Sequence, residues 1–140
     1  MKILVAVDGS DYTKRMLAYL AAHDEWLGAQ HQYTVVHAVA PVPARAASSI
    51  GKSVLQGYYD DSAEKVLKPI RRFFAQQGIT AQFVSKVGPA DQVIVNATKK
   101  GKYDLMILGS HGHGTLSNLV MGSVATKVLA DCDTPALLVR

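Results

Sequence analysis

Residues 2–8 read KILVAVD, and this run constrains the fold more than any other feature of the chain. It is apolar at consecutive positions rather than alternate ones, so both faces must be covered. Such a strand belongs at the centre of a parallel sheet with helices on each side. Four further segments read as strands: YTVVHAVA (33–40), TAQFVSKV (80–87), YDLMILG (103–109) and PALLVR (135–140). Between them the apolar residues fall at helical spacing. Met16, Leu17, Leu20, Ala21 and Leu27 share one face over 11–28, with Ser10 as the cap. Ala63, Val66, Leu67, Ile70 and Phe74 do the same over 60–77, where Gly78 closes the helix and Pro69 predicts a kink. Pro89 opens a third helix running to Lys100, before Gly101, and a last helix spans Ser123 to Asp131.

Strands alternating with helices define an α/β fold, a doubly wound five-stranded parallel sheet joined by right-handed crossovers. The length of 140 residues fits one domain over 1–140. The stretch 41–57, PVPARAASSIGKSVLQG, shows no periodic pattern and reads as a mobile loop.

Composition removes several classes of function. Cys132 is the one cysteine and forms no internal disulfide, which suits a cytoplasmic setting. Met1-Lys2 leads directly into the first strand with no small-residue cleavage site, so the start does not read as a signal peptide. No apolar run approaches the roughly 18 residues of a membrane span. The net charge of +4 is scattered, without the Lys/Arg run of a nucleic-acid groove.

The chemistry concentrates in LGSHGHGTLSNLVMGSVATKVL, residues 108–129. Ligands of doubly wound sheets sit beyond the carboxyl ends of the strands, where strand order reverses. If the first and fourth strands are neighbours there, Asp8, Gly9 and Ser10 face this glycine cluster across one crevice. The cluster lacks the Gly-Lys-Ser/Thr of a P-loop. It also lacks the third glycine of the dinucleotide fingerprint, because Ser117 stands there. Its physics is nonetheless that of phosphate loops. N–H groups around Gly109, Gly112 and Gly114 can ring an anion. Ser123 and Val124 offer a second anion site at a positive helix end. Leu116, Leu119, Val120 and Met121 are expected to pack down and return the chain, so that both halves grip one phosphate chain.

At these residues the sequence resembles the universal stress protein family, in its nucleotide-binding branch. Gly109, Gly112, Gly122 and Ser123 keep that branch's spacing: glycine, two residues, glycine, nine residues, glycine, serine or threonine. ILVAVDGS, VVHAVA, VGPADQVI and TPALLVR extend the resemblance over nearly the whole chain. It implies a Rossmann-like sheet of the adenine nucleotide alpha hydrolase kind, with strand order 3-2-1-4-5, and a stress-response protein that binds ATP. Carried over, Ala6, Val7 and Asp8 would line the adenosine side, with Asp8 facing the ribose or, indirectly, a magnesium ion. Ala38 would offer main-chain atoms to adenine. Leu108, Gly109, His111 and Gly112 would meet the ribose and first phosphates, and Gly122, Ser123 and Val124 the outer ones. A homodimer through the last strand, 135–140, is also implied.

Each feature has a plainer reading. The glycine cluster can be a flexible connection, and Asp8 can simply cap the turn after it. His111 and His113 lack the Cys or acidic partners of a zinc site. His37 reads as a buried or edge histidine, Trp26 and Phe73-Phe74 as core or helix-packing residues, and Lys99-Lys100 as a solvated helix end. Arg45 and Lys52 in the middle loop are candidates to fold over phosphates. The competing functions are a slow ATPase, a nucleotide-independent interaction module and a cyclic-nucleotide binder. No lysine sits in the loop, which argues against efficient phosphoryl transfer.

Overall fold

The computed structural model describes residues 1–114, 118 and 120–140. Thr115, Leu116, Ser117 and Leu119 lie outside the described residues, and with them part of the expected return between the two glycine segments; Val120, expected to pack down, is exposed. The strands are β1 (Lys2–Val7), β2 (Gln32–Val39), β3 (Ala81–Val87), β4 (Leu105–Gly109) and β5 (Ala136–Val139). The helices are α1 (Asp11–Ala22), α2 (Asp24–Leu27), α3 (Ala44–Ala47), α4 (Lys52–Gln76), α5 (Ala90–Gly101) and α6 (Ser123–Asp131). All strands pair in parallel, in the order β3-β2-β1-β4-β5. β1 is therefore central, as its unbroken apolar run requires.

The pleat of β1 distributes that run between two cores. Ile3, Val5 and Val7 point into a cluster with Met16 and Leu20 of α1 and Leu67, Ile70 and Phe74 of α4. Leu4 and Ala6 point the other way, to Ile94 and Val95 of α5 and Ala125 and Val128 of α6. Helices thus cover both faces. Beyond α4, the N–H of Ile79 donates to the carbonyl of Phe74 at 2.9 Å and that of Gly78 to Ala75 at 3.1 Å. Gly78 takes φ 67° to make this closing turn, for which glycine has no steric penalty.

Several expectations need correction. The segment 41–57 is largely helical: α3 occupies Ala44–Ala47, and α4 begins at Lys52. Helix propensity is a weak prior, and α4 passes through Gly57. Pro69 lies inside α4, where the apolar pattern places it, on the exposed side, where water can reach the carbonyl its ring leaves unbonded. The helix expected over 11–28 is two helices, broken where His23 leaves helical geometry at φ −128°, ψ 45°. Ser10 holds the cap position of α1, but its buried hydroxyl makes no hydrogen bond. Trp26 is 39% exposed rather than core. Gly101 is the last residue of α5 and Lys102 makes the left-handed turn, φ 50°.

Candidate functional site

β1 and β4 are neighbours, with Ala6 in register with Leu108, and β2 lies on the other side of β1. Strand order reverses between β1 and β4, which opens a crevice at their carboxyl ends. A cavity of about 220 Å³ occupies it. Ala6, Val7, Asp8, Ala38, Leu108, Gly109, His111, Gly112, Gly122, Ser123 and Val124 all lie on its wall. So do Thr13, Val36, Ala90, Ile94 and Ala125, which sequence reasoning passed over. Three of these, Val36, Ile94 and Ala125, carry only the general signal of apolar core positions. Arg45 and Lys52 are exposed and stand outside the lining.

The cavity has two chemical halves. Ala6, Val36, Ala38, Ala90, Ile94 and Leu108 give apolar walls suited to a flat ring. Gly109, Gly112, Gly114, Gly122 and Ser123 give an end where main chain can approach a ligand. None of the described lining residues is Lys or Arg. The positive potential available there comes from oriented N–H groups and the start of α6. Ser123 and Val124 occupy the first two positions of α6, so their N–H groups find no acceptor within the helix.

Close packing explains why several of these positions are glycine. A Cβ on Gly109 would come 2.8 Å from Cβ of Tyr12, because α1 lies directly over the end of β4. A Cβ on Gly112 would come 2.6 Å from Oδ2 of Asp8. A Cβ on Gly122 would come 3.1 Å from Cα of His111. Gly114 is different, since a Cβ there would meet nothing within 4 Å.

Hydrogen bonds tie the two lips together. The N–H of Gly122 donates to the carbonyl of Ser110 at 2.7 Å, and the N–H of Ser110 donates to Val139 of β5 at 2.8 Å. His113 Nε2 lies 2.7 Å from the carbonyl oxygen of Asp8, bridging the loop after β4 to the end of β1. His111 Nδ1 is 2.9 Å from the hydroxyl of Ser110, and its ring lies 5.0 Å from that of Tyr12. Asp8 does cap its own turn: Oδ1 accepts the N–H of Ser10 at 2.9 Å and the hydroxyl of Thr13 at 3.0 Å. It also stands on the cavity wall, so capping the turn does not take it out of the crevice. His37 is buried, with Nδ1 2.9 Å from the carbonyl of Val7. Among the described residues, no group of three or more His, Cys, Asp or Glu is placed to hold a metal ion.

A doubly wound parallel sheet with a glycine-lined cavity at its switch point places a ligand crevice where such sheets hold theirs. The model of the universal stress protein family matches residues 1–140, and the chain belongs to that family. A universal stress protein of Thermus aquaticus, encoded 3′ of a QAH/OAS sulfhydrylase, is 32% identical over 139 residues, covering 99% of this chain and 97% of the relative. Among solved structures, MJ0577 superposes with a TM-score of 0.82 at 23% identity, over 99% of this chain and 94% of that one. The universal stress protein from Archaeoglobus fulgidus in complex with dAMP superposes at 0.69 with 21% identity, over 100% and 98%. Among the described residues, no helix is long and apolar enough to cross a membrane.

Proposed function

We propose that the chain binds an adenine nucleotide, ATP, in the cavity between the β1 turn and the Gly109–Ser123 segment. In this reading it is a cytoplasmic stress-response protein whose nucleotide stabilises a partner surface or a homodimer paired along β5. The observation that carries the reading is the joining of two glycine-lined N–H sets on one cavity, held by the Gly122–Ser110 hydrogen bond. Structural neighbours were solved with AMP, cAMP and dAMP, which supports an adenine nucleotide as the class. The base lies against Val36, Ala38 and Ile94. Asp8 faces the ribose or, through water, a magnesium ion. The N–H groups of Gly109, Gly112, Ser123 and Val124 take the phosphates.

The lining favours holding over hydrolysis. Phosphoryl transfer calls for a cationic group at the outer phosphate, and the described lining has no Lys or Arg. The test is isothermal titration of ligand-free protein with ATP, ADP, AMP and cAMP. Saturable one-to-one heat with ATP supports the proposal. Absence of heat, together with no nucleotide in the denatured purified protein, rejects it.

A further inference from the structure

Thr13 belongs to none of the motifs above, yet it is 4% exposed and stands on the cavity wall. Its hydroxyl bonds one residue twice. It accepts the main-chain N–H of Asp8 at 3.1 Å and donates to Asp8 Oδ1 at 3.0 Å. The same Oδ1 accepts the N–H of Ser10 at 2.9 Å. One carboxylate oxygen is therefore engaged within the protein. The other, Oδ2, bonds to no described residue and lies against Gly112, where a Cβ would approach to 2.6 Å.

We infer that Thr13 is the positioning residue that turns Asp8 so that Oδ2 alone is left for the ligand, making Asp8 a single-oxygen acceptor for a sugar hydroxyl and not a two-oxygen clasp of a cation. The inference rests on the nucleotide reading above. A carboxylate with one oxygen engaged cannot clasp a metal ion through both. Oδ2 makes no hydrogen bond to a described residue and is left to accept one O–H of the ligand. A sugar lacking that hydroxyl leaves a charged acceptor without its partner, a costly mismatch in a site built to make the bond. Thr13 acts through Asp8 in two ways. It fixes the main chain at the end of β1, and it fixes the carboxylate torsion.

The experiment compares ATP, 2′-deoxy-ATP and 3′-deoxy-ATP by titration calorimetry, with and without magnesium. The proteins are the unaltered chain, Thr13→Val, Thr13→Ser, Asp8→Asn and the Thr13→Val/Asp8→Asn double variant. For the unaltered chain, at least one deoxy analogue should bind about tenfold more weakly than ATP, the loss of one hydrogen bond to a charged group. Thr13→Val should bring that ratio close to unity, and Thr13→Ser should restore it. Asp8→Asn puts an amide where Oδ2 stood and should lose the ratio as well, and the double variant should lose nothing more. The ratio should be unchanged without magnesium. Thr13→Ala replaces Thr13→Val in the same comparison if the valine variant does not fold. Uniformly weaker binding in Thr13→Val with the ratio kept, additive losses in the double variant, or a ratio that needs magnesium would each overturn the inference while leaving nucleotide binding intact. Failure of the unaltered chain to bind any nucleotide would overturn both.

Discussion

The N–H of Gly122 points at the carbonyl of Ser110 from 2.7 Å, so the last residue before α6 is bonded to the first residue after β4. The Ser110 carbonyl is thereby engaged, and the N–H groups that follow in α6 remain available. In Gly122→Val the side chain would crowd Cα of His111 and the Ser110 carbonyl, at 3.1 and 3.3 Å from the Cβ alone. ATP affinity should fall at least tenfold, about 1.4 kcal/mol. The thermal midpoint should move little, because the site is at the edge of the core. Calorimetry and a melting curve on the same sample read both.

Gly112 and Gly114 are separated by one residue and should respond differently. Gly112→Ala drives a methyl group to 2.6 Å from Asp8 Oδ2, so the carboxylate must turn away and nucleotide binding should weaken. Gly114→Ala meets nothing within 4 Å and its backbone is not left-handed, so its stability should change by no more than about 0.5 kcal/mol. Paired titrations and denaturant curves of the two variants check this contrast.

The largest stability effect should lie on the other face of the sheet from α5 and α6. Phe74 is 1% exposed and packs edge-on against Tyr33, Phe73 and Phe83. Phe74→Ala should cost about 3–5 kcal/mol through lost burial and the cavity left behind. Urea midpoints at constant slope would measure it.

Tyr33 gives the alkaline limit. Burial pushes its phenol up to about 12 from 10.0, and its hydroxyl donates to the Leu27 carbonyl. The folded state therefore holds this proton more tightly than the unfolded chain. The stabilisation is complete below pH 10 and disappears as pH rises through about 12. Stability of the parent protein should fall across that window. Tyr33→Phe should remove this group's contribution to the slope, read from urea midpoints at successive pH values.

Much of the architecture was legible because it rests on single-strand patterns. Consecutive apolar residues in 2–8 and 103–109 specify strands covered on both faces, and Gly78 marks a helix end by its positive φ. The start of α4 was not legible. Lys52–Tyr58 holds no buried residue and only Leu55 is half-buried, so it has no apolar stripe to create a periodic signal. Ser10 shows the limit of capping rules. The residue type and position suit a cap, but the Asp8 carboxylate and the Thr13 hydroxyl hold that turn, while the Ser10 hydroxyl stays unbonded. In the site, glycine spacing located the β4 loop. Thr13 was missed because its role depends on α1 folding back on its own entry turn, a relation that apolar periodicity does not record.

The most direct measurement is a crystal structure of the protein grown with ATP and magnesium. Adenine should lie against Val36, Ala38 and Ile94, with phosphates on the N–H groups of Gly112, Ser123 and Val124 and a ribose hydroxyl on Asp8 Oδ2. A nucleotide bound elsewhere on the molecule, or no nucleotide in that cavity at saturating concentration, would contradict the proposal.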